Sequence, residues 1–175
     1  MKSLNKLFAF LIVAAVASTA SFAQTSASDN VGASANVFAS LAISITDTVA
    51  FGSIATGTSG AVTIGADGVN SGAGVGANRG ELTITGTGNA AIDITYDATA
   101  TLTNSAGTAL PAMAVEIYDG TNPVDSDGTL ASALSAGSLT LYVGGTITFA
   151  GTETADSYST SNPSGDDIAI TVDYQ

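Results

Sequence analysis

Ile168-Ala169-Ile170-Thr171-Val172-Asp173-Tyr174 sets four large apolar side chains at a strict spacing of two, with Ala, Thr and Asp between them. In a β-strand successive side chains point to opposite faces, so this run has one face for a core and one for water. A helix would scatter the same residues around its circumference. The pattern recurs at Ile92, Ile94 and Tyr96, and again at Leu82 and Ile84. Strands are expected over 41–46, 49–54, 61–64, 81–85, 91–96, 99–103, 112–118, 138–143, 146–150 and 167–174. Helix formers are scarce and β-branched residues with Gly punctuation are common. Short strands with frequent turn signals predict an all-β fold, an antiparallel β-sandwich of Ig-like type with an N-terminal extension strand. Only 129–136 reads as one or two helical turns.

The 175 residues begin with Lys2 and Lys6 ahead of an apolar run, LFAFLIVAAVA at 7–17, and end that region with Ser21-Phe22-Ala23. This is the layout of a secretory signal peptide over 1–23, with an apolar core shorter than the about 20 residues that span a bilayer. A second site, after Ser18-Thr19-Ala20, is the alternative. The expected organisation is a signal at 1–23, an extension at 24–40 and one sandwich domain at 41–175. Export through the periplasm to the surface of a Gram-negative-type bacterium follows, with no membrane span after cleavage. The route permits disulfides, yet the chain has no cysteine.

Beyond the first six residues the only cation is Arg79, against fifteen Asp and Glu. Phosphate binding needs clustered Lys or Arg, so nucleic-acid partners are excluded. There is also no histidine, and with no cysteine the usual groups for acid–base or nucleophilic chemistry near neutral pH are missing. Asp166-Asp167 is an acid pair, but no tryptophan offers a sugar platform. The expectation is a structural protein, not an enzyme, with no organic cofactor.

One loop has oxygen ligands in quantity. Residues 119–128 read DGTNPVDSDG, and Asp119, Asp125 and Asp127 suit calcium, a hard cation. The bidentate Glu that closes an EF-hand loop is missing. The same residues are strong turn formers, so a pair of tight turns is the other reading. The longest loop, 65–80 (GADGVNSGAGVGANRG), has nucleotide-loop-like glycines but no βαβ unit around them, and is expected to be a flexible surface loop. Gly144-Gly145 is expected to mark a bend or bulge between two strands.

The mature N-terminus carries the most suggestive pattern. Val31, Ala33, Ala35, Val37, Ala39, Leu41, Ile43 and Ile45 occupy every second position. That is longer than an ordinary strand of five or six residues. Two arrangements fit it: one long or bent strand over 31–45, or a domain strand from 41 preceded by a spare strand at 31–39. A spare strand is what β-augmentation requires, in which one subunit completes the sheet of another. Val31, Ala33, Ala35, Val37 and Ala39 are then the donor residues.

Phe51-Gly52-Ser53-Ile54, GAVTI at 60–64, LTITG at 82–86, LYVGGTIT at 141–148 and the closing Thr171-Val172-Asp173-Tyr174 come in an order that resembles a family of small secreted bacterial β-proteins, numbered forty-four hundred and two among domains of unknown function. The resemblance covers 33–175. This chain departs from the family in a longer polar stretch, 159–166, after Tyr158, and in Leu82 where an aromatic is usual. More distantly the chain is similar to spore-coat-U-like and chaperone–usher pilins. That similarity implies a periplasmic chaperone and an outer-membrane usher as partners, with Ile170, Val172 and Tyr174 as the recognised terminal strand. The absence of cysteine departs from many of those subunits, and no glycine clearly matches the one they place upstream in the terminal motif. The functional expectation is self-association into an extracellular filament or coat by strand donation. The alternative is a free secreted domain that binds a glycan or protein through its loops.

Overall fold

Period-two patterning becomes two antiparallel sheets in the computed structural model, which describes residues 28–124 and 134–175. The signal region 1–23, Asp125, Asp127 and residues 129–133 of the expected helical turns lie outside the described residues. The chain divides into two units, Met1–Asn36 and Val37–Gln175. In the first, residues 28–36 form no strand and are exposed throughout. In the second, the strands are β1 (Ala42–Asp47), β2 (Ser59–Ile64), β3 (Gly80–Thr85), β4 (Ile92–Tyr96), β5 (Thr99–Ala100), β6 (Met113–Tyr118), β7 (Pro123–Val124), β8 (Ser138–Ala150) and β9 (Ile170–Tyr174). The described residues contain no helix, and Leu134–Ala136 is a bridge and turn instead of the helix end expected there.

The larger sheet runs β1-β3-β8-β6-β5, with β2 also on β8 and β7 on β6; the smaller is β4-β9. Leu82, Ile84, Leu141, Val143 and Ile117 from the first sheet meet Ile92 and Ile94 from the second in one core. A second cluster, with Phe51, Val62, Ile64, Met113, Ile147 and Phe149, fills the space under β2 and the far half of β8. Val49, Val115 and Ile168 pack against both clusters. Among the described residues no buried side-chain nitrogen or oxygen lacks a hydrogen-bond partner.

Strand β8 differs from expectation. It is one strand of 13 residues, not two separated by a bend at Gly144-Gly145. Its first half pairs with β3 through Val143↔Gly80, and its second half with β2 from Gly145↔Ile64. The glycines mark this exchange of neighbours. A β-carbon at Gly144 would collide with the backbone of Ile64 and Ala66, and one at Gly145 with the Ala114 carbonyl and the Met113 side chain. The absence of a side chain serves close approach, not interruption.

Two other expectations need correction. Residues 49–54 are not a strand; only Ala50 and Ser53 make single bridges, to Asn78 and Val75. Gly52 takes a positive φ of 72°, which turns the chain out of extended geometry. Those bridges, with Thr63↔Ser71, also tie down the glycine-rich 65–80 segment. Arg79 helps: its guanidinium lies 3.7 Å from the centre of the Tyr142 ring and donates to the Ala66 carbonyl at 2.9 Å. The loop is therefore held in place along its length by backbone hydrogen bonds instead of standing loose.

Two buried polar residues hold the polar loops here, Thr103 the 159–166 stretch and Asn104 the turn that follows it in sequence together with Asp156. Thr103 donates through Oγ1 to the Pro163 carbonyl, and its own carbonyl accepts from Asn162 Nδ2. Asn104 Oδ1 accepts from the amides of Ala106 and Thr108, while its Nδ2 donates to Asp156.

Candidate functional site: an uncovered sheet edge

The two sheets differ in width, and the mismatch falls at β1. Register pairs Ile43 with Ile84 and Ile45 with Leu82. Residues paired across strands share a face, so both isoleucines point toward the core side. Yet Ile43 is 41% and Ile45 70% exposed, while Ile84 and Leu82 are buried. The smaller sheet has two strands and ends before it reaches them.

Its nearer edge is β9. On the opposite side, the Tyr96 hydroxyl of β4 donates to the Val124 carbonyl of β7 at 2.7 Å. Near β1, Tyr174 of β9 reaches Ala39. Among the described residues β9 pairs with β4 alone, and β1 with β3 alone. The bonds Gln175 N–H to Ala91 and Asp97 N–H to Ala169 fix which residues of β9 face β4. By the antiparallel alternation, the backbone groups of Ile170, Val172 and Tyr174 point the other way, to the open edge. Their side chains remain only partly buried against the core.

Between the two edges lies a cleft of about 610 Å³. It is lined from the first sheet by Ile45, Leu82, Met113 and Val143, and on the other side by Ile168 and Ile170. Val49, Phe51, Leu102 and Tyr158 line this cleft and also a neighbouring one of about 600 Å³ beside Phe149 and Glu153.

At the other end of β9 is a clasp. The Tyr174 hydroxyl donates to the Ala39 carbonyl at 2.8 Å and accepts from the Thr87 amide at 2.6 Å. Thr87 Oγ1 in turn accepts from the Ala39 amide at 2.6 Å. Phe38 stacks on the Tyr174 ring with centres 4.7 Å apart. Both backbone groups of Ala39, its N–H and its C=O, are thus engaged, by Thr87 and Tyr174. Of the expected donor residues, Val31, Ala33, Ala35 and Val37 are exposed and outside any strand, with Val31 at 96% and Val37 at 91%. Phe38 and Thr87 were not legible as partners of Tyr174, since nothing in local spacing links residues so far apart.

Of the three expected calcium ligands only Asp119 lies among the described residues. Asp119 Oδ1 accepts from the amides of Thr121 and Asn122 and closes a turn, and Pro123-Val124 then pairs with β6. Among the described residues no three acidic side chains gather as a metal site. Elsewhere the Glu153 carboxylate accepts from the amides of Ala150 and Gly151 at 2.7 and 2.9 Å. Hydrogen bonding from the Ala150 amide first, and from its own, holds its carboxyl below the ordinary 4.5.

No curated protein matches this chain. A family model does, over residues 41–174, which begins at the residue before β1 and ends with the last residue of β9. The match takes in both sheets, the cleft between them and the terminal tyrosine, and the chain belongs to the family described as a domain of unknown function (DUF4402).

Proposed function

We propose that this protein is a structural subunit of an extracellular filament or surface coat, exported by a cleaved signal and assembled by strand donation from residues 31–39. One observation carries the reading. An alternating apolar segment, with Val31 and Val37 almost wholly in water, stands outside every strand of the fold. Covering such side chains gains about 0.8 kcal/mol per methylene, and a backbone outside every ladder of the fold supplies the hydrogen bonds of an added strand. Small side chains at Ala33 and Ala35 make each contact shallow, so the backbone ladder provides much of the hold. A periplasmic chaperone and an outer-membrane usher are the partners this reading calls for.

The test is an unheated SDS gel of material sheared from the native cells. Strand-exchanged polymer gives a ladder that collapses to one band on boiling, and Val37→Asp removes the ladder without blocking export. A single monomer band from unheated wild type, or a normal ladder from Val37→Asp, would sink the donor role.

A further inference from the structure

We infer that the open β9 edge, over the uncovered isoleucines of β1, is the acceptor, and that its occupant is the 31–37 segment of a second copy of this chain. The inference rests on the strand-donation reading above and adds where the strand goes. The fold is short of one strand at this place. Ile43 and Ile45 face the core side but stay 41% and 70% exposed, and among the described residues Ile170, Val172 and Tyr174 turn their backbone groups to an edge with no strand on it. A single strand laid beside β9 would satisfy both deficits.

The 31–37 segment fits in length, pattern and charge. It has seven residues, about 24 Å when extended at 3.4 Å each, and residues 168–174 are seven as well. Val31, Ala33, Ala35 and Val37 repeat the spacing of Ile168, Ile170, Val172 and Tyr174. From Asn30 to Thr46 the chain carries no charge, in a protein of net charge −12. Two copies repel each other over most of their surfaces, and this uncharged segment is where close approach is least opposed. Against the Asp47, Glu81 and Asp167 that line the cleft, a neutral strand is also the suitable occupant.

The clasp argues for a second copy over the chain's own segment. Ala39 is held at Tyr174, so residues 31–37 of the same chain could lie along β9 only in the parallel sense. Parallel pairing is slightly less stable per residue than antiparallel. A segment from another copy is free to enter antiparallel, with Ala33 opposite Val172 and Ala35 opposite Ile170 when the two seven-residue runs are centred.

The absence of cysteine makes disulfide trapping clean. Purified Ala33→Cys protein is mixed with purified Val172→Cys protein and oxidised, with Ser44→Cys on the outer face of β1 as the control partner. The expected result is a mixed disulfide at least tenfold more abundant with Val172→Cys than with Ser44→Cys. A double variant, Ala33→Cys with Ile170→Cys, reports the parallel arrangement within one chain, and an intramolecular disulfide in it as the main product would overturn the second-copy occupant. If boiling-sensitive ladders form but neither trap closes, the acceptor assignment is wrong while strand donation stands. If wild type forms no ladder and no trap closes, both fall together.

Discussion

Ile43 and Ile84 stand directly opposite each other on β1 and β3, and one is wholly buried while the other is 41% exposed. The same side chain at paired positions should therefore carry different weight in the isolated subunit. Ile84→Ala removes a packed core residue and should cost about 2–5 kcal/mol. Ile43→Ala should cost less than about half as much, because much of its surface is never withdrawn from water. Urea denaturation of the two variants at low protein concentration checks this, and equal losses would mean that Ile43 is covered in solution.

Gly144→Ala tests the exchange of neighbours along β8. The added methyl meets backbone atoms of Ile64 and Ala66, which have no flexible end to move aside. The strands must separate at that point, and a cost of about 3 kcal/mol or more is expected, at the upper end of overpacking. A thermal melt within a degree or two of wild type would contradict the close approach.

Asn104→Ala should loosen the 153–166 region more than its position in a turn suggests. It removes the acceptor for the Ala106 and Thr108 amides and the donor to Asp156. Leaving such groups without partners costs about 1–3 kcal/mol. Faster amide exchange at Ala106 and Thr108, with proteolysis between 156 and 164, is the expected signature.

Glu153 gives the chain a pH-dependent turn. Its carboxyl is lowered in the fold, so the stabilisation is complete above its ordinary 4.5 and is lost as pH falls through the lowered value. The Ala150 and Gly151 amide resonances should shift together over that acidic range and stay fixed above it. In Glu153→Gln the same amides should not titrate.

Most strands were legible because a half-buried strand writes its own pattern. IDITY and the LTIT of β3 each show one buried face and form where the pattern places them, while IAITVDY forms its strand only from Ile170 and has a half-buried face. What the pattern records is burial, not pairing. Val49, Phe51 and Ile54 are apolar and contribute to the cores, yet Gly52 turns the segment and no ladder forms. Gly144-Gly145 looked like a break because glycine usually is one; its role depends on two strands that lie far away in sequence. The bend expected there is replaced by an unbroken strand for that reason.

The candidate site was legible by halves. The alternation at 31–37 and the inward face of β9 were readable from local spacing, but whether 31–37 ran on into β1 or stood apart from it was not. The uncovered state of Ile43 and Ile45 was not. Their alternation is the same whether a second sheet extends over them or stops short, and only the strand count of that sheet decides it. Thr103 and Asn104 were missed for a related reason: polar residues after a short strand read as ordinary turn formers until their partners at 156–163 are known.

The Tyr174 clasp also decides where the fold would feel a pull. Covalently, Val37 leads through Ser40 and Leu41 into β1, which among the described residues is an edge strand paired only with β3 and would unzip one pair at a time if dragged from Ala42. Tension on the chain ahead of Phe38 does not arrive there first. It is met at Ala39 by Thr87 and Tyr174, which sit beyond β3 and on β9, and by the Phe38 ring braced against Tyr174. Traction is thereby divided among separate parts of the sandwich, and its weakest seam is spared.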